Sequence, residues 1–281
     1  MSPEPGAATG AATGATTGAT TGAATDAVAD AVRLERVGSV LVVTIERPEA
    51  RNAVNRDVAQ GIARAMDLLD GEPHLTAAVL TGAGPHFCAG MDLKAFLRGE
   101  RPNVPGRGFA GLVEAPPAKP LIAAVEGAAV AGGFEIVLAA DLVVASTAAT
   151  FGLPEVRRGL VAAGGGLSRL PAWVPRAVAL EMALTGAPLD AAKLHAFGMI
   201  NRLVQPGKAR TAAIELAQRI AANGPLAVRA SKRILTEAPG WAPDETFERT
   251  RRIAMPVLRS DDAREGAAAF AERRTAVWTA R

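Results

Sequence analysis

Residues 129–141 read AVAGGFEIVLAAD: a glycine pair opens an apolar run that carries one acid, Glu135, three places after Gly132. An unpaired carboxylate is expensive to bury, so an acid amid Ala, Val, Ile and Leu needs solvent access or a task. A second acid, Glu155 in FGLPEVRRGL, raises the same question. Upstream of the quoted stretch LIAAVEG reads as a buried strand, the stretch itself as a helix from about Gly132 to Ala140, and DLVVAS as the next strand. Further upstream, β-branched residues dominate Val40 to Ile45, and Pro48 marks the exit from a strand. Val58, Ile62, Met66 and Leu69 recur at helical spacing, and TAAVLTGAG is a strand running into a glycine turn. This β-α-β-β-α-β rhythm predicts an α/β core with helices packed on a sheet.

After Gly164 the pattern turns helical, through AVALEMALTG, ARTAAIELAQRIAANG, GPLAVRASKRILTEA and DDAREGAAAFAERRTAVW, with Pro225 suited to a first helical turn. The first residues, MSPEPGAATGAATGATTGATTGAATDA, are low-complexity and too small to bury area that offsets the entropy of ordering. Three regions are therefore expected: a disordered extension over 1–31, an α/β core over 32–223, and a helical region over 224–281 that supplies oligomer contacts. A 281-residue chain that is 49% apolar has ample core. Its net charge of +3 is spread without a dense Lys/Arg block, which argues against nucleic acid. The apolar run Leu121–Ala145 is broken by Glu126, Glu135 and Asp141, a poor membrane span. The lone Cys88 excludes an internal disulfide and, with no Cys/His cluster, argues against a structural zinc; a reducing cytoplasm and no secretory leader are expected.

Familiar motifs are absent. GAAVAG lacks dinucleotide spacing, AAGGGLSR lacks the Lys-Ser/Thr pair of a phosphate loop, and GLSRL lacks the closing glycine of a nucleophile elbow. His74, His86 and His195 stand in unrelated contexts and form no evident triad. What remains is two glutamates and two glycine-bearing turns, GAGPHFCAGMDLKAF, with a short helix starting near Asp92, and AVAGGFE. Backbone N–H groups at helix starts are unpaired and partly positive, so two aimed together can hold a developing oxyanion. The plain alternatives are tight turns for the glycines and ordinary salt bridges or solvated edges for the glutamates.

In combination these residues carry a resemblance. FCAGMDLK resembles the F-x-A-G-x-D-[IL] segment of the crotonase superfamily, the enoyl-CoA hydratase/isomerase family. AVAGGFEIVLAADLVVAS resembles its second oxyanion helix and following strand, and FGLPEVRRGLVAAGGGLSRL the segment bearing its second acid. Order and separation agree, including the twenty positions from Glu135 to Glu155, and RPEARNAVN and EGAAAFAERR extend the likeness from about Arg33 to the C-terminus.

The resemblance implies a crotonase-like ββα spiral core and an acyl-CoA thioester substrate, with no metal or redox cofactor, coenzyme A being part of the substrate. It implies that the N–H groups of Met91 and Gly132 bind the thioester oxygen, while Glu135 and Glu155 share a water that adds across the α,β-double bond of a trans-2-enoyl-CoA. Glu135, in a first helical turn, is expected to be held ionised by the helix field as base, leaving Glu155 as acid. Enoyl-CoA isomerase, carnitinyl-CoA-type dehydratase and a non-catalytic acyl-CoA-binding protein are the alternatives. Ala89, Asp92, Leu93 and Lys94 are implied to border the substrate, with Lys94, Arg51 and Arg273 toward the CoA. Met91 and Phe134 depart from the smaller residues usual at their positions; each either narrows the acyl pocket or points into core. The Pro-, Gly- and Arg-rich stretch 98–120 is expected to be a loop bordering the acyl channel. A homotrimer or dimer of trimers is implied.

Overall fold

The computed structural model describes residues 25–27, by their backbone alone, and 31–281. Along the chain, β1 (Thr25–Ala27), β2 (Val32–Val37) and β3 (Val40–Ile45) form an antiparallel meander. Helix α1 (Arg56–Gly71) leads to β4 (Ala77–Gly82), and α2 (Leu93–Leu97) and the hairpin β5 (Asn103–Val104) and β6 (Gly108–Phe109) lead to β7 (Leu121–Val125). There follow β8 (Ala128–Val130), α3 (Gly132–Leu138), β9 (Leu142–Ser146), β10 (Thr150–Gly152), α4 (Gly166–Trp173), α5 (Arg176–Thr185), β11 (Leu189–Asp190), α6 (Ala191–Ala196) and β12 (Arg202–Val204). Helices α7 (Ala209–Ala221), α8 (Pro225–Glu237), α9 (Thr246–Leu258) and α10 (Asp261–Glu272) complete the chain.

The main sheet runs β1-β2-β3-β4-β7-β9-β12, parallel from β3 onward, and a smaller sheet runs β11-β10-β8. Strand alternation divides the core by face. Val40 and Val42 of β3, with Val79, Ile122 and Val144, pack against Ala213 and Ala217 of α7, whereas Leu41, Val43 and Ile45 join Val58, Ile62, Met66 and Leu69 of α1 in the larger cluster. All four of those α1 residues are buried, as their spacing predicts, and Asn55 caps the helix by accepting from the Val58 N–H at 3.0 Å. Every main-sheet strand from β3 to β9 is thus covered on both faces, which explains their nearly continuous apolar sequences.

The extension expected over 1–31 lies outside the described residues except near its end, and there the structure differs. Thr25–Ala27 pair with β2, and Ala31 is buried. Strand pairing draws on backbone groups, so small side chains do not forbid it. The stretch 98–120 is also more ordered than a loop: it contains the β5–β6 hairpin and buries Phe109, Leu112 and Val113. Helix α9, unremarked in the sequence, carries Pro256 near its end and packs on α8, as does part of the turn before it. The Lys232 ammonium of α8 is tied to the core by the Asp141 carboxylate at 2.6 Å and the carbonyls of Pro117 and Lys119.

Candidate active site

Three turns at the ends of parallel strands meet here, and the first is scaffolding for the second. In RPEARNAVN, Arg47 donates to the Asp92 carboxylate at 3.0 Å and to the Ala53 carbonyl at 2.6 Å. Fully buried Asn52 donates to the carbonyls of Ala83 and His86, while its own oxygen accepts from the Arg47 N–H. The Ala89 N–H donates to the Arg51 carbonyl, and Val54 and Met91 form an isolated parallel bridge. These bonds between protein groups fix the path of Cys88 to Asp92.

That path lies against the entry to α3. Cys88 and Ala129 pair as a second parallel bridge, so the two segments run side by side. A Cβ placed on Gly133 would lie 2.2 Å from the Cys88 carbonyl oxygen, and one on Gly90 2.9 Å from the Gly132 nitrogen. Only glycine permits this approach. Ala131, the residue before α3, adopts φ +52° and is held there by its N–H bond to Gly152. A positive φ in a non-glycine residue stores strain and clusters at functional sites. The N–H groups of Met91 and Gly132, on these two adjoining segments, have no acceptor among the described residues. They are the two N–H groups that the family resemblance implies as donors to a thioester oxygen.

Glu135, one helical turn after Gly132, shares its face and is 4% exposed. Its Oε1 accepts from the Gly166 N–H at 3.0 Å. A Cβ on Gly164 would lie 2.6 Å from its Oε2 and one on Gly166 3.0 Å from its Cγ, so two of the three glycines of AAGGGLSR are explained by the room this carboxylate takes. Burial pushes Glu135 above the usual carboxylate range, opposed by the N–H groups of Gly166 and Gly164 and the charge of Arg169. The expectation that the helix field holds Glu135 ionised meets an opposing effect, desolvation, which outweighs the donors and the cation around the carboxyl. Glu155, in the 3-10 turn Pro154–Arg158, is also raised, by burial and by the charge of Glu135, with its own backbone N–H and Arg158 opposing. Its Oε2 is buried without a hydrogen-bond partner, one of two such side-chain atoms among the described residues. This buried acceptor, within electrostatic reach of a second acid, is given no structural partner by the fold.

The other anticipated residues divide. Ala89 and half-buried Met91 stay with the site, and Leu93 and Lys94 are exposed on the first turn of α2 beside it. Asp92 caps α2: it accepts from the N–H groups of Lys94 and Ala95, and although burial would raise it, these bonds and Arg47 hold it below its ordinary value. Phe134 does not narrow a pocket. It is fully buried, with its ring centroid 5.6 Å from that of Phe151, because a position two residues from Gly132 turns to the opposite side of the helix. Arg51 contributes its carbonyl, with its side chain exposed. Arg273, exposed at the C-terminal end of α10, is not brought to the glutamates within one chain, since α10 packs on α9.

Sequence reading missed Phe109, whose ring lies over Gly132: a Cβ there would be 2.5 Å from its Cε1 and Cζ. It also missed Arg169 and the donor role of Gly166. The available signal is a glycine triplet followed by an arginine, Gly164–Gly166 and Arg169. Among the described residues no cluster of three or more His, Cys, Asp or Glu side chains is arranged for a metal, and no helix is long and apolar enough to cross a membrane.

The sequence matches the family model described as enoyl-CoA hydratase/isomerase over residues 35–281. The fold is similar to a crystal structure of an enoyl-CoA hydratase from Mycobacterium marinum, with TM-score 0.88 and 56% identity over 89% of this chain and 99% of that one. Over 252 residues the sequence is 41% identical to an enoyl-CoA hydratase of Mycobacterium tuberculosis, covering 86% of this chain and 93% of the relative. It is 40% identical over 256 residues to a carnitinyl-CoA dehydratase of Salmonella arizonae, covering 88% and 97%.

Proposed function

The chain belongs to the enoyl-CoA hydratase/isomerase family, and on that footing we propose that it catalyses the reversible hydration of a trans-2-enoyl-CoA to a 3-hydroxyacyl-CoA. The observation that carries the reading is the pair of acids from separate elements: Glu135 held by backbone donors, Glu155 carrying an unpartnered buried oxygen and feeling the charge of Glu135. A binding protein has no use for two destabilising carboxylates.

In this mechanism the thioester oxygen accepts from the N–H groups of Met91 and Gly132. A water lies between the glutamates. Glu135 takes a proton from it, the oxygen bonds to the β-carbon, and the π electrons move through the α-carbon onto the thioester oxygen, where the two N–H groups stabilise the charge. Glu155 then donates its proton to the α-carbon as the enolate collapses. Two acids in electrostatic contact favour a single shared proton at neutral pH. Glu135 accepts N–H bonds and sees Arg169, whereas Glu155 has a bare oxygen beside a negative charge, which supports Glu155 as the protonated partner.

Lys94 and Arg51 would face the CoA portion, and no cofactor beyond the substrate is required. Phe247, Leu258 and Phe270 are 79%, 68% and 88% exposed on α9 and α10, an apolar surface that supports a homotrimer or dimer of trimers. A cytoplasmic site of action fits the single, buried cysteine.

The test is turnover of trans-2-butenoyl-CoA, followed by loss of the enoyl-thioester absorbance, with a 3-enoyl-CoA and carnitinyl-CoA as comparators. Hydration faster than turnover of either comparator is expected. Preference for the 3-enoyl-CoA would move the assignment to an isomerase. Carnitinyl-CoA is included because relatives about 40% identical carry that name, and its dehydration runs the same two-acid chemistry in reverse.

A further inference from the structure

The loop Gly164–Gly166 supplies the N–H that binds Glu135, yet has no side chains with which to hold itself. Arg169 does the holding. From the first turn of α4 its side chain folds back across the loop, Nη1 lying 3.4 Å from the Gly164 carbonyl oxygen and Nη2 2.5 Å from that of Val113, on the segment that carries Phe109. A Cβ on Gly165 would lie 2.1 Å from Nη1, while those on Gly164 and Gly166 would meet the Glu135 side chain. Guanidinium and carboxylate thus meet the same three glycines, the guanidinium at Gly165 and the carboxylate at Gly164 and Gly166. A planar fork reaching two carbonyls at fixed angles is what arginine provides and lysine does not.

We propose that Arg169 is the positioning residue for Glu135, fixing the glycine loop whose N–H group aims the carboxylate and tying that loop to the Phe109–Val113 segment. This rests on the hydratase reading for its kinetic consequence but not for its electrostatic one. The charged groups facing Glu135 are Glu155, from the turn after β10, and Arg169, from α4. Strand β8, also packed on α3, carries none, and adjacent Cys88 stays neutral because burial pushes its thiol up to about 12. Arg169 is thus the cation that offsets the desolvation of Glu135, and removing it raises the carboxyl further.

The experiment uses the full chain as Arg169→Met and Arg169→Lys, with the Glu135 carboxyl titration followed by carbon NMR and kcat/KM for trans-2-butenoyl-CoA measured against pH. For Arg169→Met the Glu135 titration and the acid limb of the profile move together to higher pH, and kcat falls roughly 10- to 100-fold with KM little changed. Arg169→Lys keeps the charge and the limb but loses kcat, because lysine lacks the separate Nη1 and Nη2 donors that reach the Gly164 and Val113 carbonyls from opposite ends of one fork. A titration unmoved in Arg169→Met, or Arg169→Lys at the wild-type rate, overturns the proposal; should Arg169→Met fail to fold, the lysine variant decides. A wild-type protein inactive toward every 2-enoyl-CoA would sink the hydratase reading, while the carboxyl titration would still judge Arg169.

Discussion

Replacing Gly133 with alanine tests the oxyanion pair without touching a charged group. The new Cβ would lie 2.2 Å from the Cys88 carbonyl oxygen, 2.8 Å from its carbon and 2.9 Å from the Cys88 Cβ. None of these atoms is the free end of a flexible side chain, so the start of α3 must back away by about 1 Å to reach ordinary contact. Gly90 and Gly132 are in close approach at the same seam, so the displacement widens the gap between the Met91 and Gly132 N–H groups. Losing one such donor lowers kcat by about 10²–10³, or roughly 2.7–4 kcal/mol, and overpacking adds about 1–3 kcal/mol of destabilisation. The assay is the initial rate of enoyl-thioester loss well below the melting temperature of the variant. Gly71→Ala is the control, because a Cβ there meets nothing within 4 Å. A Gly133→Ala protein that is folded and within about threefold of wild-type kcat would refute the reasoning.

Phe134→Ala is expected to lose about 3–5 kcal/mol in a denaturant melt, from the cavity left against Phe151, without admitting longer acyl chains in a chain-length series. Glu135→Gln is expected to melt higher than wild type at pH 7. Burial raises the folded carboxyl above its ordinary 4.5, so the native state holds its proton longer, and wild-type stability falls as pH rises from about 4.5 through the folded value. The difference between the two proteins should close below that window, and each pKa unit of elevation corresponds to about 1.4 kcal/mol. Equal melting temperatures at pH 7 would show that the carboxylate is not under strain there.

Much of this was legible because it is local. The spacing of Val58, Ile62, Met66 and Leu69 names a buried helix face, and the glycine pair with Glu135 one turn later names a face aimed at one place. The small sheet of β8, β10 and β11 left no such trace, since strands of two or three residues are too short to show alternation. Phe134, which the sequence leaves open between pocket and core, points into core, whereas Phe109, distant in sequence, lies over Gly132. The hold of Arg169 on Val113 and Gly164 likewise joins residues from separate elements, which no periodicity reports. Asp92 reads as a site residue in the motif and is one only indirectly, as the cap and ion-pair partner that fixes the chain beside Met91.

The central claim is that Glu135 and Glu155 act on one water as a unit, and a double-mutant cycle measures it. Hydration of trans-2-butenoyl-CoA is to be followed for Glu135→Gln, Glu155→Gln and the double variant. Groups that work as a unit are strongly non-additive. The account predicts that each single change lowers kcat by orders of magnitude and that the double variant is scarcely slower than either. Single losses that multiply in the double variant, or a Glu155→Gln protein hydrating at close to the wild-type rate, would contradict it.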